Sequence, residues 1–323
     1  MTHKERAIKA LTLQVPDFVP TFELEFQLAE EMFGKKLVPD SLNEKDLSQL
    51  SEKEQDRQLY ETAEFFAYVY GKLEYSIIPA YGPRIFSEPE DGYVHSLNKR
   101  FIKILKEVTE DKVMLGFHGD GTFAIPNGER MYEFSYRLAD DPDGVKKDAR
   151  YWADFAVERN KRLQDAGIDC LLLCADYCYN SGPFLSPAMF REYITPYLYD
   201  IIAAARKDGL YAIKHTDGNI MPILDQLVEC RPHAIHSIDP MAGVDIKLVK
   251  EMAGDKVALC GNVHCAAMQT GTEQEVIDSA TYCLTYAKPN GGYFFCTSNV
   301  PFKGMPPERY ALILDIWKKM RDY

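Results

Sequence analysis

Eight short apolar runs recur along the chain. Each is followed by a polar or glycine-rich loop and then by a longer stretch with helical spacing. The runs fall at 18–22, 76–80, 113–117, 170–174, 211–214, 234–238, 257–260 and 293–296. Most are near-continuous rather than alternating, the pattern of parallel strands covered on both faces. Between them, Tyr151, Phe155 and Leu163 sit at helical spacing and predict a helix over 150–163. Ser186 and Pro187 supply an N-cap and a first-turn proline, opening a helix toward Arg206. Thr272 and Glu275 have capping-box spacing and open a helix through Tyr286. Gly167, Gly209 and Gly254 stand where helix ends favour glycine. Eight such units predict an α/β fold, a (β/α)8 TIM barrel forming a single domain over 1–323. A doubly wound open sheet would leave two edge strands, and no run is clipped or charged enough to be one. Segment 34–56 is charged and lacks a strand. It reads as an insertion after the first strand, placed to cover the barrel mouth as a lid.

Composition narrows the function classes. Apolar residues make up 46% of the chain and charged residues 27%, which is material for a large core. A net charge of −12 repels phosphate backbones, so nucleic acid is not an expected partner. Of eight cysteines, Cys170, Cys174, Cys230, Cys260 and Cys296 lie in or beside apolar runs. They read as buried free thiols of a reducing compartment rather than disulfides. The opening MTHKERAIKALTLQ is a charged amphipathic stretch, and no apolar run approaches the length of a membrane span. The expectation is a cytoplasmic protein without a membrane partner.

Barrel active sites lie at the C-terminal ends of the strands. Glu23 and Glu25 follow the first run, His118 and Asp120 the third, and Asp176 and Tyr177 the fourth. His215 and Asp217 follow the fifth, Asp239 the sixth, Asn262 and His264 the seventh, and Asn299 the eighth. Together they predict a polar, mainly acidic mouth. His215 and Asp217, two residues apart at a strand end, suit a divalent metal, zinc first. By strand-end position Glu25 is taken as the third ligand and catalytic partner, with Glu23 and Cys296 as the other candidates for that place. The alternative is that His215 hydrogen-bonds a carboxylate and no metal binds. Glu23, His118, Asp120, Asp176, Tyr177 and Asn299 are candidates for substrate contact, although turn-capping would place the same residue types there. His264 reads as a helix start more than as a site residue. Cys170, Cys174 and Cys178 fit core packing better than a metal cluster. Glu88, Glu90 and Asp91 read as a solvated loop. No dinucleotide fingerprint, phosphate loop or nucleophile elbow is present.

Several segments carry a resemblance. They are FELEFQLAEEMFG, GDGTFAIPNG, NSGPFLSPAMFREYITPYL, KHTDGN, GNVHCAAMQTGTEQEV and GGYFFCTSNVPFKGMPPERY. With them the chain resembles the uroporphyrinogen decarboxylase superfamily, and within it the cobamide-dependent methyltransferases. The resemblance implies a (β/α)8 barrel. It also implies one of two chemistries. The decarboxylases use an N-terminal arginine-rich motif and an aspartate after the second strand. Here VPTFELEF and PAYGPR stand instead, and Arg84 is the one obvious cation near the second strand end. The methyltransferases use a zinc and pass a methyl group to or from a corrinoid on a partner protein that docks over the mouth. Their thiol-methylating members carry His-x-Cys after the fifth strand and a cysteine after the eighth. In this chain Asp217 replaces the first cysteine, Asn299 stands at the second, and Cys296 lies three residues early. The resemblance therefore implies a methyl donor of ether or amine type, with metal-free decarboxylation as the alternative. Homodimerisation is left open.

Overall fold

The computed structural model describes residues 1–323. Strands β1 (Ile77–Pro79), β2 (Met114–His118) and β3 (Cys170–Leu173) are followed by a small hairpin of β4 (Cys178–Tyr179) and β5 (Gly182–Pro183). Then come β6 (Tyr211–His215), β7 (Ala234–His236), β8 (Ala258–Val263) and β9 (Tyr293–Thr297). Seven of these form one parallel sheet in the order β1-β2-β3-β6-β7-β8-β9. Nearly every sheet position is buried on both sides, as the near-continuous apolar runs require.

The first run, 18–22, forms no extended strand. It meets both free edges of the sheet through one residue: Thr21 bridges Tyr75 on one side and Phe295 on the other, both in parallel. Ser76 N donates to Thr21 O at 2.8 Å, Phe295 N to Pro20 O at 2.9 Å, and Thr21 Oγ1 to Phe295 O at 2.7 Å. Pro20 has no N–H to extend this ladder, which keeps the eighth position short. The barrel still closes, and its first and last strand positions become neighbours.

Beyond the β4–β5 hairpin, helical segments separate the strands of the parallel sheet. The predicted helix over 150–163 is the centre of a longer one, Pro142–Ala166, capped by Gly167 at φ 118°. Thr272 and Glu275 form the expected capping box on Glu273–Ala287. Ser186 caps Pro187–Tyr193 as expected. That helix breaks at Ile194, before Pro196, and restarts as Thr195–Lys207. Gly254 ends its helix in ordinary helical φ, so no left-handed cap is used there. Segment 34–56 is anchored: Leu42 and Leu47 are fully buried, and Glu44 accepts from Phe86 N and Ser87 N at 2.9 Å. Its residues Lys36, Leu37 and Val38 line a cavity of about 370 Å³ with Glu25, Tyr70 and Tyr81.

Candidate active site

The end of β6 organises the mouth. Along this strand Lys214 and His215 face opposite ways, as strand alternation requires. Lys214 is fully buried and its Nζ donates to Asp120 Oδ2 (2.8 Å), Ala175 O (2.8 Å) and Leu173 O (3.1 Å). It also lies 4.0 Å from the centre of the Tyr177 ring. His215 faces the interior beside Asp176 and Asp217. The chain can turn sharply here because Gly218 adopts φ 81°, and a Cβ on it would lie 2.4 Å from Cys178 O.

His215, Asp176 and Asp217 each offer a ligand atom, all within 4.8 Å of one another. His215 Nε2 is 3.6 Å from Asp176 Oδ1 and 3.7 Å from Asp217 Oδ1. These separations are too long for hydrogen bonds. Zinc bonds of about 2.0–2.2 Å would set neighbouring donors roughly 3.3–3.6 Å apart, so the donor set fits a divalent cation. Burial pulls the His215 pKa down to about 3, with the Lys214 ammonium adding to it, so the ring is neutral and can ligate. Burial, then the Asp176 carboxylate, pushes Asp217 up to about 7. Asp217 Oδ1 accepts from Ser237 Oγ at 2.9 Å and Oδ2 from Asn299 Nδ2 at 2.6 Å. Ser237 and Ile238 both hold positive φ, 86° and 51°, and this kink at the end of β7 aims the serine.

The other candidates divide. Asn299 joins the cluster through Asp217. Glu25 does not: it is exposed at the rim, and Asp176 takes the third place instead. The sheet order explains why. Strands β3 and β6 are adjacent, so Asp176 is next to His215, whereas the first segment lies across the barrel from β6. Asp120 is held below the usual carboxylate range, at about 2, because the Lys214 ammonium overrides the opposing effect of burial. It accepts from Thr122 N, Thr122 Oγ1, Ala175 N and Lys214, which fills its oxygens. Tyr177 is fully buried with its hydroxyl on Thr122. Glu23 is buried too, accepting from Thr297 N, Thr297 Oγ1 and Tyr310. The polar atoms of all three are turned to protein partners. His118 is exposed, stacked on Tyr81 at 4.4 Å between ring centres. His264 accepts from Ala267 N and starts the helix Cys265–Thr270. Cys170 and Cys178 are buried, Cys174 is half-buried, and all eight cysteines are free. Cys296 is buried in β9 and is not one of the three residues that group as ligands.

Two cluster residues escaped the sequence reading: Ser237 and His236. His236 pairs directly with His215 across β6 and β7. Its Nδ1 lies 2.9 Å from His215 Nδ1. The signal was a histidine in the middle of an apolar strand run. Beside Asp217, a cavity of about 400 Å³ is lined by Asn180, Met241, Cys265, Gln269, Asn299 and Phe302, among others, with no lysine or arginine in its wall.

A family model for uroporphyrinogen decarboxylase (URO-D) matches residues 99–320, more than half of the chain. No curated protein matches the chain in sequence. Among solved structures, a methyltransferase from Methanosarcina mazei is similar over 99% of both chains, with a TM-score of 0.71 at 16% identity. At that identity the likeness is one of fold. An N-acetylneuraminate lyase from Fusobacterium nucleatum covers 81% of this chain and 73% of its own, with a TM-score of 0.39 at 13% identity. A D-psicose 3-epimerase from Clostridium cellulolyticum H10 covers 80% and 93%, with a TM-score of 0.47 at 12% identity. Neither of these two overlaps closely enough to bear on the site. No helix is long and apolar enough to cross a membrane.

Proposed function

From the premise that this chain belongs to the uroporphyrinogen decarboxylase family, we propose that it is a methyltransferase. It moves a methyl group between a small ether- or amine-type donor and a corrinoid carried by a partner protein. The observation that carries the reading is the convergence of neutral His215 with Asp176 and Asp217 at the barrel mouth. These three residues would hold a zinc. When bound, zinc supplies a Lewis acid that polarises the donor heteroatom.

The chain's own residues do the rest. Ser237 and Asn299 hold the Asp217 carboxylate in place from two sides. Asp176 Oδ1 accepts from Asp217 N at 3.1 Å, which locks the two acidic loops together. The donor sits in the cavity beside Asp217, where Met241, Val300 and Phe302 supply apolar wall and Asn180 and Gln269 supply hydrogen bonds. A wall without cations disfavours a carboxylated donor. The same chemistry weakens the decarboxylase alternative, since Arg84 is paired to Asp40 at 2.8 Å rather than free as a clamp. The corrinoid protein docks over the open mouth.

The test is elemental analysis of metal-stripped protein titrated with zinc, for wild type and His215→Ala, followed by a screen of methyl donors with a reduced corrinoid acceptor. Stoichiometric zinc lost in the variant, with donor-dependent methylation of the corrinoid, is the expected result. No stoichiometric zinc in the wild type would overturn the metal assignment.

A further inference from the structure

We infer that His236 sets the tautomer of His215 and is thereby a positioning residue for the cation held by His215, Asp176 and Asp217. The inference rests on the metal reading above and deepens it.

His236 is fully buried, edge-on to Phe22 with ring centres 5.9 Å apart. Its Nε2 has no hydrogen-bond partner. Its one polar contact is the 2.9 Å approach of its Nδ1 to His215 Nδ1. An apolar side chain would fill this space without leaving a polar atom stranded. The imidazole therefore earns its place through His215.

A neutral imidazole carries one N–H, and only one proton fits between the two Nδ1 atoms. Two arrangements follow. In the first, His236 Nδ1–H donates. His215 then carries its proton on Nε2, pointing at the two carboxylates, and has no lone pair for a cation. His236 Nε2 is a bare acceptor, the cheaper kind of orphan. In the second, His215 Nδ1–H donates to His236. The His215 Nε2 lone pair then faces the carboxylates, and His236 carries an unpaired Nε2–H. When both are ionised, the two carboxylates repel a lone pair that faces them unless a cation lies between them. Cation binding thus selects the second arrangement and its absence the first. His236 accepts the His215 proton in the bound state and fixes the ring's direction. Partners of this kind commonly change metal affinity by about 10–100-fold.

The experiment measures zinc affinity by chelator competition for wild type, His236→Leu and His236→Asn. It also follows ¹⁵N-labelled imidazoles by NMR before and after zinc. Leucine removes the acceptor. Asparagine keeps a polar atom at the Nδ1 position. The expected result is a loss of about 10–100-fold in the leucine variant and recovery to within a few-fold in the asparagine variant. Wild-type His215 should move its proton from Nε2 to Nδ1 as zinc binds. The inference is overturned by wild-type affinity in His236→Leu, by an asparagine variant as weak as leucine, or by a His215 that keeps Nε2–H with zinc bound. A wild type that takes up no zinc overturns the metal assignment as well, which separates the two failures.

Discussion

Lys214 Nζ lies 2.8 Å from Asp120 Oδ2, with the lysine side chain fully buried and the aspartate only 12% exposed. This pair ties the loop after β2 to the strand that ends in His215. Breaking a buried pair from one side leaves a charge without its partner, which costs about 3–5 kcal/mol. Lys214→Met is expected to lose stability on that scale in urea denaturation. Lys214→Met combined with Asp120→Asn should lose less than the two single losses added together. Strict additivity would show that the pair is not coupled.

Asp217 is expected to set the pH dependence of metal uptake. Burial and Asp176 raise its pKa to about 7, while His215, at about 3, stays neutral over the working range. Below pH 7 a cation must displace a proton from Asp217, so affinity should climb with pH and level off above about 7. Ser237→Ala removes a donor that favours the carboxylate, so its midpoint should move upward. Zinc affinity measured between about pH 5.5 and 8.5 decides this. A flat profile in the wild type would refute it.

Glu23 should make the protein less stable as the solution turns alkaline. Burial raises its pKa from 4.5 to about 8 against the pull of Thr297 and Tyr310. The folded state then keeps a proton that the unfolded chain releases above pH 4.5. The resulting stability is full below pH 4.5 and is lost as pH rises toward about 8. Glu23→Gln removes this dependence. It should be more stable than wild type by roughly 1–3 kcal/mol near pH 8 and about equal to it near pH 5. An equal difference at both pH values would assign the effect to packing instead.

Much of the fold was legible because burial on both faces writes strands as apolar runs, and seven of the eight runs became strands. The first did not, since Pro20 cannot extend a ladder, yet Thr21 alone still bridges both edges. His215, Asp217, Asp176 and Asn299 were legible as polar groups at strand ends. Their roles were harder to read. A polar residue at a strand end satisfies either the pocket or its own loop, and only the partners tell which. Asp120 and Tyr177 turned inward to Lys214 and Thr122. His236 was hidden because nothing in a run of apolar residues says which strand position will face a histidine next door.

The sharpest discrimination concerns the third ligand. Glu25 and Asp176 are both carboxylates at the mouth, but only Asp176 lies within ligand distance of His215 and Asp217. Asp176 is about half-exposed and its Oδ1 is 3.6 Å from His215 Nε2, so it needs no rearrangement to bind a shared cation. Asp176→Asn is therefore expected to weaken zinc binding by about 100-fold or more, since an amide oxygen carries no charge to offset the cation. Glu25→Gln should leave zinc affinity within about twofold, because its carboxylate stands on the opposite wall with Tyr81 and Lys303. It should act, if at all, on the Michaelis constant for the donor. Chelator competition on the two variants side by side gives the answer. A large loss in Glu25→Gln with none in Asp176→Asn would move the metal to the first segment and require the mouth to close across the barrel.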